Sequence, residues 1–155
     1  MEPYLALKAL HLAGVVLFLG NIVVTAWWKT QADRTRDPAI VAFAQRQVTL
    51  TDWLFTFGGS SLLAAAGYAN VFVHGLSLST PWLWWGQALF ILSGLLWLGI
   101  LIPVQIRQAR LAHGFACGGT IPAEYWRLNR LWLAVGLVAT VLPAVNLYFM
   151  VFKPA

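Results

Sequence analysis

Four apolar runs of the sequence are each long enough to cross a lipid bilayer as a helix. They cover about residues 4–28, 53–75, 81–104 and 131–152, and about 20 residues are enough to span the hydrocarbon. In lipid, a spanning backbone must satisfy its own hydrogen bonds, and apolar runs of this length do so as helices. The sequence therefore predicts an all-α fold, a four-transmembrane-helix bundle that forms one integral membrane domain over residues 1–155.

The composition supports the same class of protein. Charged residues make up 10% of the 155 residues and hydrophobic residues 60%, whereas soluble domains carry about a quarter charged residues. The net charge of +5 comes from cations that flank the apolar runs and form no continuous patch. We therefore expect a lipid bilayer as the partner and no nucleic acid. The one cysteine, Cys117, excludes an internal disulfide and a cysteine-rich metal cluster.

The cations also predict the orientation, because they are concentrated in two of the three connections. The first connection has Lys29, Arg34, Arg36 and Arg46, and the third has, within it or beside it, Arg107, Arg110, Arg127 and Arg130. The connection between the second and third runs has none. By the positive-inside rule, the two basic connections are cytoplasmic and both termini are periplasmic. This arrangement predicts a multi-pass protein of the bacterial inner (cytoplasmic) membrane.

The first cytoplasmic connection contains the signals of a further helix. Asp37 is a plausible N-cap, and Pro38 follows it at the first helical position. Apolar residues then recur on one helical face, namely Ile40, Phe43, Ala44 and Val48. We predict a short amphipathic helix that lies on the inner surface and leads into the second span.

Polar residues inside the apolar runs predict a site in the outer third of the bundle. His11 lies about seven residues, or roughly 10 Å, below the outer start of the first span, and an ionisable side chain at such a depth is by default a functional candidate. Asn70, Gln87 and Asn146 fall at a similar level on the other three spans. These amides either contact a ligand or join helices by hydrogen bonds. Lys8, one turn above His11, either extends to phosphate headgroups or binds an anionic ligand.

Asp52 is the only acid at the boundary of a span, and it lies on the inward face. Three interpretations stay open: capping of the helix that it begins, a salt bridge to Arg127 or Arg130, and a proton relay through Asn21 and His11. Capping is favoured because Asp is a common N-cap residue.

The pattern Leu7-Lys8-Ala9-Leu10-His11 near the start of the first span resembles a group of small bacterial membrane proteins. The group includes the HemJ-type protoporphyrinogen oxidases and the membrane domain of copper-resistance protein D. Nearly the whole chain is similar to a bacterial family of predicted four-helix integral membrane proteins. The shared features of that family are the first-helix pattern, Asp52-Trp53, Pro103 with Gln105, and the closing Met150-Val151-Phe152-Lys153-Pro154.

The resemblance to the HemJ-type proteins implies that His11 is linked to haem. The leading hypothesis is a b-type haem or porphyrin bound for redox work, with His11 as the axial metal ligand and Lys8 paired with a propionate. His74 is roughly 9–10 Å nearer the outer surface than His11 at helical rise, so one iron is not expected to bind both. The alternative is a small-molecule or ion transporter, or an accessory subunit of a membrane complex, without a cofactor. A homo-oligomer or a membrane redox partner fits the first hypothesis, and the catalytic residues stay unknown.

Overall fold

The structure is a computed structural model that describes residues 3–154, and nearly all of them are helical. The six α-helices are α1 (Pro3–Thr35), α2 (Pro38–Thr51), α3 (Gly58–Val73), α4 (Pro81–Leu96), α5 (Ile102–Phe115) and α6 (Ala123–Phe152). Two π-helical segments, Asp52–Phe57 and Trp97–Leu101, join α2 to α3 and α4 to α5 without a break. The chain therefore forms four long helices, two of them continuous through a π-helical turn, and no strand occurs between residues 3 and 154.

Three of these helices are long and apolar enough to cross a membrane: α1, the α4–α5 helix over Pro81–Phe115, and α6. The remaining long helix covers residues 38–73 and contains all but the last two residues of the predicted second span, 53–75. The all-α class and the four helices are thus confirmed. That all four helices cross a bilayer, with both termini on its outer side, stays a prediction.

The helix starts follow from local chemistry. The Asp37 carboxylate accepts hydrogen bonds from the backbone N–H groups of Ala39 (2.8 Å) and Ile40 (3.2 Å), and Pro38 occupies the first turn. This N-cap confirms the predicted start of α2. Pro81 likewise begins α4, where its missing N–H would have had no helical partner.

The buried face of α2 differs from the predicted one. Its buried residues are Val41, Ala44, Gln45 and Val48, while Ile40 and Phe43 are exposed. The reason is that α2 packs against α1 and α5 and runs directly into the helix that contains the second span. It is therefore an extension of a long helix and not a separate segment beside it.

The four helices pack differently at the two ends of the bundle. We call the end with the first and third connections the basic end and the other the outer end. Toward the outer end α1 packs on α3 and α4 packs on α6, whereas no Cα atom of α3 comes within 8 Å of α4 or α6. At the basic end α1, α2, α5 and α6 contact one another in a chain, with Val41, Ala112, Phe115 and Tyr125 buried between them.

Glycine permits the close contact between α1 and α3. A Cβ atom on Gly14 would lie 2.5 Å from the Leu63 nitrogen, and one on Gly59 would lie 2.8 Å from the Phe18 nitrogen. Small residues are the usual means by which membrane helices approach each other this closely. This packing determines which faces of α1 and α3 point inward. It therefore also determines the direction of the His11 and Asn21 side chains on α1.

Candidate functional site

His11, the first predicted site residue, points from α1 to the backbone of α3. Its Nδ1 lies 2.8 Å from the Leu63 carbonyl oxygen. Because a carbonyl only accepts, Nδ1 carries the proton, and in the neutral ring Nε2 keeps a free lone pair. The approach depends on Gly67, where a Cβ atom would lie 2.9 Å from Nδ1. The structure therefore gives the imidazole one fixed orientation.

Lys8, the second predicted site residue, lies near the start of α1. Its ammonium nitrogen is 5.7 Å from the centroid of the Tyr4 ring. Tyr4 in turn meets the His74 ring edge to face at 5.1 Å between centroids. Lys8 and His74 are thus grouped around one aromatic ring.

In the described residues, the three predicted amides are not joined to His11 by hydrogen bonds. Asn146 donates to the Gly86 carbonyl across the α4–α6 contact at 3.0 Å, and Gln87 donates to two backbone carbonyls. Asn70 has a buried Oδ1 with no hydrogen bond. Within residues 3–154, none of these side chains hydrogen-bonds to another or to His11. Asn146 thus acts as a connection between helices in this structure.

The most extensive polar contacts in the apolar part of the bundle surround Asp52, nearer the basic end. Its Oδ1 accepts hydrogen bonds from Asn21 (3.1 Å) and Thr56 (2.9 Å), and Thr25 donates to the Asn21 amide oxygen at 3.0 Å. Asp52 is only 7% exposed. The favoured capping interpretation is wrong, because Asp52 lies inside a continuous helix and its own N–H bonds to the preceding turn. Among the described residues it forms no salt bridge, either to the predicted arginines or to another cation.

A cavity of about 440 Å³ lies beside Asp52, between α1, the two π-helical segments, α4 and α6. Its polar wall consists of Asp52, Thr56, Thr25, Ser93 and Thr140, and its aromatic wall of Phe18, Trp97 and Trp132. Val23 on α1 and Leu137 on α6 line its mouth, and both are more than half exposed on the outside of the bundle. The cavity therefore opens sideways, between α1 and α6.

Two buried polar atoms near the cavity have no hydrogen-bond partner in the described part of the chain. They are the indole Nε1 of Trp97 and the Oε1 of Gln105, and both side chains approach the Asp52 carboxylate. Buried groups of this kind are rare in proteins unless water or a ligand satisfies them. Trp97 lines the cavity, so its indole N–H lies on the cavity wall close to Asp52.

Proline shapes the opposite wall of the cavity. Pro143 lies inside α6 and has no N–H, so the Ala139 carbonyl one turn earlier loses its helical partner. The Ser93 hydroxyl of α4 donates to this carbonyl at 2.8 Å. The bond joins α4 to α6 at the cavity wall and satisfies the Ala139 carbonyl.

A second polar cluster is buried at the basic end, around Lys29. The Lys29 side chain is fully buried, and its ammonium donates to Asp33 (2.8 Å), Asn129 (2.8 Å) and Tyr125 (3.1 Å). The Tyr125 hydroxyl also donates to the other Asp33 oxygen at 3.2 Å. The sequence interpretation counted Lys29 among the orienting cations, but its charge is used internally. All three donors of the ammonium are thereby satisfied.

Trp132 lies between the two polar clusters. It lines the cavity, and its ring centroid is 5.4 Å from the Lys29 ammonium nitrogen on the side of the buried ion pair. Asp33 lines a second, open pocket of about 900 Å³ at the basic end. Trp132 therefore contacts both the cavity and the polar cluster around Lys29.

The fold and these clusters define a helical integral membrane protein with a polar cavity inside its apolar part. No group of three or more His, Cys, Asp or Glu side chains suitable for a metal ion occurs in residues 3–154. The chain belongs to the family described as predicted integral membrane protein (DUF2269), whose model matches residues 5–154. No curated protein and no solved structure matches the chain.

Proposed function

We propose that this protein is a membrane carrier whose ligand site is the cavity beside Asp52. The observation that carries the proposal is a buried carboxylate, without a cationic partner in the described residues, on the wall of a cavity of about 440 Å³. Ligand cavities in proteins have volumes of about 300–1,000 Å³ and combine apolar walls with a few polar groups. An ionisable side chain in a membrane bundle usually marks such a site.

The proposal includes the predicted topology. All four long helices cross the bacterial inner membrane, with both termini in the periplasm and the basic end in the cytoplasm. Asp52 then lies near the cytoplasmic boundary of the hydrocarbon, and the mouth between Val23 and Leu137 faces lipid. A ligand enters from the bilayer, and movement of the Trp132 indole opens the route past Lys29 to the cytoplasmic pocket.

The test uses three probes of similar shape and different charge: tetraphenylphosphonium, tetraphenylborate and triphenylphosphine oxide. Thermal unfolding of the detergent-purified protein is followed with each probe by tryptophan fluorescence. Gly136→Leu fills the cavity, because a Cβ atom at Gly136 meets nothing within 4 Å. Gly20→Leu is the matched control, since Gly20 has the same free space and does not line the cavity.

We expect at least one probe to raise the melting temperature of the wild type and of Gly20→Leu, and to have no such effect on Gly136→Leu. In proteoliposomes the same probe crosses the membrane faster with wild type than with Gly136→Leu. If no probe stabilises the wild type, or if Gly136→Leu responds as the wild type does, the cavity is not a ligand site and the carrier proposal is refuted.

A second candidate function is haem or porphyrin binding at His11, as the HemJ-type resemblance implies. The observation in its favour is the hydrogen bond from His11 Nδ1 to the Leu63 carbonyl. Histidines that bind metals usually donate their other N–H to such a group, which orients the ring and raises its basicity. His11 would thus supply one axial ligand through Nε2, and Lys8 would pair with a propionate. Haem, when bound, would supply one-electron redox chemistry, with an electron partner in the membrane.

The fit of haem to the other predicted residues is weaker. Asn146 and Gln87 use their amides on backbone carbonyls, and His74 packs against Tyr4. Haem that would be held by His11 alone is therefore the form to test. An absorption spectrum of protein expressed with added haem should show a Soret band for the wild type and for His113→Leu, whose histidine is exposed at the basic end. His11→Leu should lack the band, and a wild type without any band would refute this function.

A further inference from the structure

We infer that the ligand of the Asp52 cavity is a lipophilic monocation, an organic cation whose apolar groups lie against the aromatic wall while its charge pairs with Asp52. This inference rests on the carrier proposal and adds the chemical class of the ligand. Three independent features of the cavity support it: its uncompensated charge, its aromatic wall and its opening to lipid.

The first feature is the charge of the wall. Asp52 receives hydrogen bonds from the neutral donors Asn21 and Thr56, both on one oxygen. The nearest buried cation, Lys29, does not line the cavity and is bound to Asp33 behind Trp132. A carboxyl group removed from water is either protonated or pairs with a positive partner. A cation in the cavity supplies one, whereas an anion there would be repelled.

The second feature is the aromatic wall. Phe18, Trp97 and Trp132 line the same cavity as Asp52. Aromatic faces attract cations through their quadrupole, most strongly those of tryptophan and most strongly when water is excluded. Indole rings also offer large apolar surface to the substituents of an organic cation. A small hydrated metal ion would use neither property.

The third feature is the direction from which the ligand arrives. The cavity mouth lies between α1 and α6, where Val23 and Leu137 are exposed on the outside of the bundle. In a membrane these surfaces contact acyl chains. A ligand that enters there has first dissolved in the bilayer, which a delocalised or shielded organic cation does far more readily than a compact hydrated one.

The experiment measures binding of tetraphenylphosphonium and of neutral triphenylphosphine oxide to the full chain in detergent by equilibrium dialysis. We expect saturable binding of the cation, at least about tenfold tighter than binding of the neutral probe. Asp52→Asn should weaken cation binding by at least about tenfold, because the amide keeps an acceptor for Asn21 and Thr56 but removes the charge. Asp37→Asn is the matched control, since it removes an exposed charge at the start of α2 and keeps a good N-cap.

The outcomes separate the ligand class from the carrier proposal. If the neutral probe binds as tightly as the cation to the wild type, the cationic class is wrong while the cavity stays a ligand site. Equal cation binding by wild type and Asp52→Asn also overturns the class. If Gly136→Leu binds the cation as the wild type does, the probe binds elsewhere, and both the inference and the carrier proposal fall. The comparison of the two probes on the wild type does not depend on the folding of any variant.

Discussion

The buried ion pair at the basic end gives the sharpest test of how this bundle is held together. Lys29 has no exposed surface and donates to three side chains, of which Asp33 carries the opposing charge. Lys29→Met removes the ammonium and fills its volume with an apolar chain. Asp33 then remains buried as a carboxylate with a single hydrogen bond, from Tyr125.

The loss of stability expected for Lys29→Met follows from the charge of Asp33, which would no longer have a positive partner. Removal of one partner of a buried ion pair typically destabilises a protein by about 3–5 kcal/mol, and the remaining bond from Tyr125 favours the lower part of this range. For a chain of this length, about 2–4 °C in melting temperature corresponds to 1 kcal/mol. We therefore expect Lys29→Met to lower the melting temperature by about 6–20 °C.

The assay is thermal unfolding in detergent followed by tryptophan fluorescence, as a double-mutant cycle with Asp33→Asn. The double variant should recover a large part of the loss, because it leaves neither charge alone in the interior. Lys8→Met is the matched control, since it removes an exposed lysine from the same helix and should change the free energy of unfolding by no more than about 0.5 kcal/mol. A Lys29→Met variant as stable as the control, or a double variant whose loss equals the sum of the single losses, would show that the pair does not stabilise the fold.

Three further predictions concern the packing, the cap and the topology. Gly14→Ala should destabilise the protein by about 1–3 kcal/mol in the same assay, because its Cβ atom would meet the Leu63 backbone at 2.5 Å. Gly94→Ala is the control, since its Cβ atom meets nothing within 4 Å. Equal stability of the two variants would contradict this prediction. Asp37→Ala should cost about 1 kcal/mol through loss of the α2 N-cap, and an unchanged melting temperature would show that Pro38 alone starts the helix. The exposed thiol of Cys117 should react with a membrane-impermeant maleimide in inside-out vesicles and not in intact cells, and the reverse pattern would overturn the proposed orientation.

The helices could be predicted from the sequence because their signals are local. Apolar runs of the required length, the Asp37-Pro38 start and the Pro81 start each depend on a few neighbouring residues. The continuity of α2 with the second long helix could not be predicted in this way. Periodicity indicates a helical face but not whether two helical stretches are joined, and here the junction is a π-helical segment that shifts the period.

The functional residues were harder to predict because their roles depend on contacts between helices. Asp52 was placed on the inward face, but only the structure shows its bonds to Asn21 on another helix. Lys29 was counted as an orienting charge, although a signal was present. Asn21, Thr25, Lys29 and Asp33 follow one another at intervals of four and so share one face of α1. If the inward face of α1 is followed beyond the end of the apolar run, Lys29 falls on that face and is predicted to point into the bundle.

The π-helical segments have a consequence for how the length of this chain can vary. A π-helical turn accommodates about one residue more than an α-helical turn, and such turns are frequent at functional sites. Deletion of one residue within Asp52–Phe57 or Trp97–Leu101 would convert the turn to α-helix and leave the flanking helices in register. A deletion elsewhere in the same helices would rotate everything beyond it by about 100°. Homologues one residue shorter at these two places should therefore keep the bundle and lose the π-helical turns beside the cavity.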